Sequence, residues 1–497
     1  MSAGRIALID RTTGKRVRYE ELWAMVVEDA VRLEALGVQK GDRLALIVPN
    51  GLDYFRLLFA AGFRGAVFVP LNTRLAPREW KTVLDDARPT LLLFADRFSE
   101  VAHATGLVGD EQRAMRTMSL GDFWGLAVTK RDEAWHTVGE PPWEMVQSSD
   151  PWVMLYTGGS TGKPKGVLLT HDNILWNAIN TVASWQLAER DVTYTIMPLF
   201  HSGGLNALSM PLLYAGGAVV LDEQFDPDET WRVIAEERVT IILLVPTMHQ
   251  ALLRSPLFKQ VDLSHDPIFL SGGAPCPLSI YDAYAARDLK FKEGYGLTEA
   301  GPNNFYLTPE EARRKRGSVG RPMLHNRITL IDDGGQPVPP GAVGEIVIEG
   351  PHVFLGYWEN ETETRHALRD GRLYTGDLGR VDEDGYYYIV GRKKEMIISG
   401  GENIYPLEIE TVLAQHPCVQ EAVVVGVPDA YWGERAVAFV VPKQGAAIDE
   451  GILVEHCRAH LARYKTPKEF VFLEALPKTS VGKIDKKALK DAYASRV

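Results

Sequence analysis

An α/β fold in several parts is predicted for this chain of 497 residues, which is too long for one compact core. Three observations predict it. Short apolar runs alternate with helical patterns at βαβ length through the first three hundred or so positions, which calls for parallel sheets. From about residue 317 the pattern turns to alternating strands joined by turn residues, which calls for antiparallel structure. Beyond "GRKKEMIISGGENIYPLEIE" the signals mix helix and strand, as in a small separate α+β domain.

The elements follow in order. "YEELWAMVVEDAVRLEALG" sets Leu22, Val26, Leu33 and Leu36 near helical spacing and stops at Gly37. "DRLALIVPN" reads as a buried strand, "GLDYFRLLFAAGFRG" as a helix and "AVFVPLN" as the next strand. The same pattern recurs through "TLLLF", "YTIMPL", "AVVLD", "TWRVIAEERVT", "IILLVP" and "PIFLSGG". In "RITLIDDGGQPVPPGAVGEIVIEG", Asp332 to Gly335 and Pro339 to Gly341 are turn chemistry between strands. A helix opened by Pro406 runs to Gln415, and "EAVVVGVP", "RAVAFVVP", "GILVEHCRAHLARY" and "EFVFLEALP" complete the chain's regular segments. No fixed-period repeat or low-complexity stretch interrupts them.

Composition narrows the function. Hydrophobic content of 45% and charged content of 24% are those of an ordinary soluble globular protein. A net charge of −11 argues against a general nucleic-acid or anionic-membrane surface, though not against a local basic pocket. Cys276, Cys418 and Cys457 are too few for a disulfide framework and fit no zinc spacing, so reduced thiols and a cytoplasmic location are expected. The N-terminus reads as no signal peptide, no apolar run has membrane-spanning length, and Ser495-Arg496-Val497 is not a clean peroxisomal signal.

The stretch most charged with chemistry is "LYTGGSTGKPKGVLLTH", Leu155 to His171. Its glycines allow backbone N–H groups to approach phosphate oxygens, its hydroxyls add donors, and Lys163 and Lys165 add charge. It is not the P-loop of kinases and ATPases. Pro164 stands where that loop needs a Ser or Thr for Mg²⁺, and no glycine lies five residues before Gly162. A plain Gly/Ser surface loop would explain a shorter match better than it explains this one.

"YTGGSTGKPKG" resembles the phosphate-loop signature of the adenylate-forming superfamily: acyl-CoA synthetases, stand-alone adenylation enzymes and firefly-type luciferases. Further motifs of that superfamily follow in its order: "PLFH" at 198–201, "SGGAP" at 271–275, "GYGLTE" at 294–299 and "YTGDLG" at 374–379. "GRKKEMIISGGENIYPLEIE" at 391–410 and "LPKTSVGKI" close the series. The likeness spans nearly the whole chain and is greatest to fatty-acyl and aryl-acid CoA ligases. It implies an N-terminal AMP-binding domain at 1–391, a hinge at 392–396 centred on Lys394, and a mobile C-terminal domain at 397–497.

The implied reaction joins two anions, since a carboxylate attacks the α-phosphate of ATP, so cations and oriented donors are needed. By resemblance, Thr157, Gly158, Gly159, Ser160, Thr161, Gly162 and Lys165 would bind ATP, with Thr157, Ser160, Thr161 and Lys165 on its β- and γ-phosphates. Gly158 departs from the serine common in the family, which removes one donor. Within "GYGLTE", Gly294 and Gly296 flank Tyr295, which would stack on adenine. Thr298 would touch the α-phosphate and Glu299 would bind Mg²⁺ together with phosphate oxygens. Asp377 would accept from both ribose hydroxyls, assisted by Arg392, while Gly272, Gly273 and Ala274 pass their backbone along adenosine and acyl group.

Lys483 would bridge carboxylate and α-phosphate in the first half-reaction. Gly400 and Gly401 would flank the pantetheine of CoA in the second, after the C-terminal domain swings. His201 would stand where thiol meets acyl group, and Arg463, Lys465 and Lys468 are candidates for CoA phosphate contacts. Taken singly, these residues have plainer readings: a solvated basic face for Lys483 and Arg463, a structural histidine for His201, a turn former for Asp377.

The implied function is ATP- and Mg²⁺-dependent ligation of a carboxylic acid to CoA, with AMP and pyrophosphate as products. A carrier-protein thiol as acceptor is the alternative. A catalytically inert AMP-binding regulator is a third reading, opposed by the joint presence of Lys165, Glu299, Asp377 and Lys483. Luciferase-like oxidation has no supporting feature. By resemblance 201–210, 272–276 and 296–303 line the acyl pocket; their small residues Gly203, Gly204, Ala207 and Ala300 and their lack of a fixed cation favour a monocarboxylic, apolar acid, aliphatic or aromatic. A homodimer is allowed for, but no residue pattern specifies it.

Overall fold

The computed structural model describes residues 3–104, 115–127, 146–158, 164–478 and 484–495. Four larger sheets and one two-stranded pair, Phe305–Tyr306 with Arg321–Pro322, organise them. In the first, seven strands lie in the order Lys290–Glu293, Ile268–Ser271, Ile241–Leu244, Val192–Thr195, Ala218–Leu221, Ile6–Asp10 and Lys15–Arg18. All pairings are parallel except the last, as the βαβ spacing predicts.

The second sheet also has seven strands, with Pro151–Gly158 beside Val67–Pro70 and, on its other edge, the antiparallel Pro164–Thr170. The phosphate-loop motif therefore lies between two hydrogen-bonded strands, Thr157 facing Lys165 and Gly158 facing Pro164 in register. Gly159, Ser160, Thr161, Gly162 and Lys163 lie outside the described residues.

A shared core joins the two sheets. Leu8, Val219 and Leu221 from the first meet Leu46, Phe68, Leu93 and Val153 from the second, through the helices Tyr19–Ala35 and Leu52–Arg64. Each helix follows its sequence pattern: Leu22, Val26 and Leu33 of the former are all buried, and the latter ends on Gly65 with φ +67°, a left-handed cap that favours glycine. The outer face of each sheet is covered separately. Trp231, Tyr284 and Phe269 pack under the first, and Trp80, Val83 and Leu84 under the second. At about 25 cal/mol per Å², burial of such large apolar side chains contributes on the order of 2–3 kcal/mol each.

The third sheet is antiparallel, as the turn residues predict: Arg327–Ile331, Val343–Glu349, Arg372–Val381 and Tyr387–Arg392, with Leu368–Arg369 at one edge. The fourth is built from Ile397–Ser399, Glu402–Ile404, Val419–Asp429, Gly433–Pro442 and Glu469–Phe472, and has its own core on both faces. Its helix Pro406–Ala414 ends one residue before the Gln415 expected from sequence. The three cysteines are free thiols, Cys457 fully buried. Among the described residues no helix is long and apolar enough to cross a membrane.

One buried carboxyl leaves a measurable signature. Glu293 accepts from the Tyr281 hydroxyl at 2.7 Å and the Cys276 amide at 3.1 Å, and burial raises its pKa from 4.5 to about 7. The raised value means that its contribution to stability is complete below pH 4.5 and is lost as pH rises through about 7. Glu293→Gln, which cannot ionise, should therefore gain on the wild type between pH 5 and pH 8, by up to roughly 3 kcal/mol at one pKa unit per 1.36 kcal/mol. Thermal unfolding at both pH values checks this; a pH-independent difference would contradict the buried-carboxyl assignment.

Candidate functional site

The motifs converge where the carboxyl ends of the first sheet's strands meet the third sheet, the place at which parallel-sheet proteins bind ligands. The strand Lys290–Glu293 leads into Gly294-Tyr295-Gly296, then into a single turn at Thr298–Ala300. Gly296 is a necessity of packing, since a Cβ there would lie 2.2 Å from the Pro302 carbonyl. The Tyr295 hydroxyl donates to Asp377 Oδ2 at 2.7 Å, across 82 residues of sequence. Burial first, then the Asp377 carboxylate, holds the Tyr295 pKa well above its usual value, so the group is a donor at neutral pH.

Asp377 lies on the strand Arg372–Val381 and is 5% exposed. Its other oxygen, Oδ1, pairs with Arg392 Nε at 2.9 Å, on the antiparallel neighbour strand directly opposite in register. Burial opposes the charge of Arg392, but Asp377 and Glu395 outweigh it and raise its pKa. Sequence reasoning put Tyr295, Asp377 and Arg392 in one site, and the structure brings all three into contact.

A second cluster forms around Glu299 and Lys165. Tyr357, which sequence reasoning missed, donates its hydroxyl to Glu299 Oε1 at 2.8 Å. Lys165 Nζ lies 5.4 Å from the centre of the Tyr357 ring and pairs with Glu363, whose pKa is lowered chiefly by that bond. The segment carrying Tyr357 is fastened on both sides: Phe354 N donates to Glu299 O at 2.8 Å, and Trp358 N to Gly166 O at 2.7 Å. Gly356–Tyr357 thereby adds a strand to the second sheet beside Pro164–Thr170. Thr298, half-buried, shares the turn with Glu299.

Gly272, Gly273 and Ala274 follow the strand Ile268–Ser271, with Gly273 at φ +80° and Gly273 and Ala274 exposed. His201 precedes an irregular helix: Ser202–Gly204, then a π-helical stretch at Leu205–Ser209, then Met210–Ala215. π-Helical insertions are frequent at functional sites, and no periodicity in the sequence signals this one. Gly204 packs against backbone, its missing Cβ 2.2 Å from Pro198 O. The Asn303 amide donates to Ala207 O at 2.7 Å and to Thr181 Oγ1 at 3.0 Å, joining the two expected acyl-pocket stretches. Gly203, Gly204 and Leu208 face Thr195 and Leu243 across a narrow cavity. A cavity of about 580 Å³, lined by Trp23, Phe59, Phe63, Trp152 and Tyr214 among others, lies toward the opposite end of the strand Pro151–Gly158 and touches the expected stretches only at His171 and Met210.

Lys394 is exposed in the tight turn Lys393–Glu395, immediately after the third sheet and before the fourth. Glu395 pairs with Lys486 at 2.8 Å, and Lys486 reaches Glu410 at 3.2 Å. Gly400 and Gly401 have φ of +60° and +86°, and a Cβ at Gly400 would lie 2.7 Å from the Trp432 ring. Lys465 is engaged by both oxygens of Glu408 at 2.7 Å, while Arg463 and Lys468 are exposed. Lys483 lies outside the described residues.

The site thus holds a buried carboxylate between a tyrosine and an arginine, beside a glycine-rich turn and a second cluster of Glu299, Tyr357, Lys165 and Glu363. The chain belongs to the AMP-binding enzyme family: the AMP-binding enzyme model matches residues 1–358, and the model of its C-terminal domain matches 408–483. It is 41% identical to a feruloyl-CoA synthase of Amycolatopsis sp, over 95% of this chain and 93% of that one. It is 37% identical to an indoleacetate–CoA ligase of Aromatoleum aromaticum, over 100% and 96% of the two chains. Identity to the long-chain-fatty-acid–CoA ligase FadD13 of Mycobacterium tuberculosis is 36%, over 99% and 96%. Among solved structures, the o-succinylbenzoate CoA synthetase MenE of Bacillus subtilis, in complex with the acyl-adenylate intermediate OSB-AMP, superposes with a TM-score of 0.85 at 32% identity, over 98% and 95%. The chain is thus an ATP-dependent, AMP-forming ligase that activates a carboxylic acid and passes the acyl group to CoA.

Proposed function

We propose that this ligase acts on aryl acids and that the residues above divide its chemistry as follows. The observation that carries the site assignment is the Tyr295–Asp377–Arg392 contact. It sets a buried carboxylate beside the glycine turn, where two ribose hydroxyls could be accepted together. Thr157, Gly158 to Gly162 and Lys165 enclose the β- and γ-phosphates; Glu363, now on Lys165, gives way to them. Tyr295 stacks on adenine along Gly294, Gly296 and the Gly272-Gly273-Ala274 backbone. Thr298 donates to the α-phosphate.

The donor set fits Mg²⁺. Glu299 offers a single carboxylate, oriented by Tyr357, and Mg²⁺ is typically held by one or two carboxylates together with phosphate oxygens. When bound, the ion neutralises charge on the triphosphate. The same enzyme MenE has been solved with ATP and a magnesium ion. Tyr357→Phe should leave Glu299 in place but loosely oriented, and the Mg²⁺ concentration for half-maximal rate should rise about 10-fold. Titration of Mg²⁺ at saturating ATP checks this; an unchanged requirement would remove Tyr357 from the account.

Residues 1–391 form the nucleotide-binding part, 392–396 the hinge at Lys394, and 397–497 the moving part. Support comes from the third sheet ending at Arg392 and the fourth beginning at Ile397. Lys483 serves adenylation; Gly400, Gly401, Arg463 and Lys465 serve CoA, and His201 borders the acyl carbon. A cytoplasmic location and a homodimer complete the proposal. The aryl preference draws on two of the relatives above, named for ferulate and indoleacetate, and on the small residues of the pocket. Initial rates with aryl and alkanoic acids of matched size test it. Higher kcat/KM for the alkanoic series would overturn it.

A further inference from the structure

Lys292 is a buried lysine that none of the assignments above uses. It is 4% exposed, on the strand Lys290–Glu293 at the edge of the first sheet. Its neighbours Phe291 and Glu293 face the outer helices: Phe291 stacks on Tyr284 at 5.2 Å, and Glu293 meets Tyr281. Side chains alternate along a strand, so Lys292 faces inward. There its Nζ sits 3.7 Å from the centre of the Trp185 ring, at the end of the helix His171–Trp185. Among the described residues Nζ makes no ion pair or hydrogen bond. Burial alone lowers its pKa, to about 7, which is how an amine is carried in such a place without a counter-ion.

What shares this inner face decides the reading. Lys292 is in register with Leu270, and Leu270 with Leu243. Leu243 lines the narrow cavity opposite Gly203, Gly204 and Leu208. Gly294, two residues beyond Lys292, lies on the same side, since a Cβ there would be 3.4 Å from Leu270 Cδ1. Lys292 therefore stands one pleat, about 7 Å, below the glycine turn on the sheet face that Leu270 and Leu243 share. The helix that carries Trp185 also carries Thr181, which accepts from Asn303, and Asn177, which donates to Asn206 O. The stretches 201–210 and 296–303 contain no cation; the cation is on the strand between them.

We propose that Lys292 is a specificity-determining residue at the deep end of the acid pocket, where its amine donates to an oxygen at the far end of an aryl acid. A ring hydroxyl, methoxy or carbonyl oxygen satisfies the amine, whereas a hydrocarbon end of the same shape leaves it buried without an acceptor. The proposal rests on the aryl-acid reading and narrows it to oxygen-bearing rings.

The test uses the whole enzyme and shape-matched pairs, 4-methoxycinnamate against 4-ethylcinnamate and 4-hydroxycinnamate against 4-methylcinnamate, with hexanoate and decanoate alongside. For the wild type, kcat/KM should favour the oxygenated member by roughly 10- to 100-fold. Lys292→Met, which keeps the length and apolar stem, should bring the pairs within about threefold, and Lys292→Gln, which keeps a donor, should retain part of the preference. The KM for ATP should be unchanged in both, since Lys292 is off the nucleotide path. Equal use of the pairs by the wild type, or a preference that survives in Lys292→Met, overturns the assignment. Preference for the alkanoates over every cinnamate overturns the aryl reading beneath it, and is seen separately in the same data.

Discussion

Lys483→Ala is expected to lower acyl-adenylate formation by about 10³-fold while leaving thioester formation from pre-made acyl-AMP within a few-fold of wild type. Adenylation brings a carboxylate against the α-phosphate, and a lysine ammonium bridging both offsets charge that would otherwise oppose the attack. The second step releases AMP as the thiol adds, and it makes no demand on that cation. The described residues that flank it in sequence pair with one another. Lys478 and Ile484 pair as an antiparallel bridge, and Asp485 N donates to Pro477 O at 2.9 Å. Lys486 then ties the same segment to Glu395 at 2.8 Å, three residues from Arg392, which pairs with Asp377. Glu395 is held below its usual pKa because Lys486 and Arg392 outweigh the effect of its burial. Single-turnover pyrophosphate release measures the first step, and acyl-CoA formation from synthetic acyl-AMP the second. Equal losses in both would contradict a lysine dedicated to one pose of the C-terminal domain.

Asp377→Asn is expected to cut kcat/KM for ATP by about 10²-fold, mostly through KM, with the KM for the acid nearly unchanged. The substitution keeps volume and removes charge. Its effect is twofold: the ribose loses a charged acceptor for two hydroxyls, and Arg392, drawn to the site by Asp377 at 2.9 Å, loses its counter-ion. Tyr295, which donates to the same carboxylate at 2.7 Å, must then share the one remaining acceptor oxygen with Arg392. Circular dichroism and the unfolding temperature of the variant separate this from misfolding. A folded variant with unaltered ATP dependence would move the ribose site elsewhere.

Much of this site was legible because its chemistry is local. Gly273, at φ +80°, and Gly296, whose Cβ would meet the Pro302 carbonyl, are glycines for reasons set within their own short motifs. What was not legible depends on residues that meet only in the fold. Glu363 reaches Lys165 across 198 positions and Tyr357 reaches Glu299 across 58, and neither separation carries a periodic signal. The π-helical stretch at Leu205–Ser209 has no pattern of its own, since two glycines precede it and packing against Pro198 selects its path. Lys292 carries no signal in the sequence for a different reason. A lysine in an edge strand reads as a solvent-facing residue, and only the helix ending in Trp185 turns that edge into an interior. The parallel and antiparallel sheets were predictable from βαβ spacing and turn residues because those features are set within a few tens of positions. Their order across the sheet, with Ile6–Asp10 entering beside Ala218–Leu221, was not.

The most direct test of the central claim is a full product analysis with ATP, Mg²⁺, 4-hydroxycinnamate and CoA, resolving AMP, ADP, pyrophosphate, phosphate and acyl-CoA together. The account predicts AMP, pyrophosphate and acyl-CoA in equal amounts, continuous only with both acid and CoA, and at most one equivalent of bound acyl-AMP per enzyme when CoA is withheld. ADP and phosphate as the products, or nucleotide turnover indifferent to the acid, would contradict it.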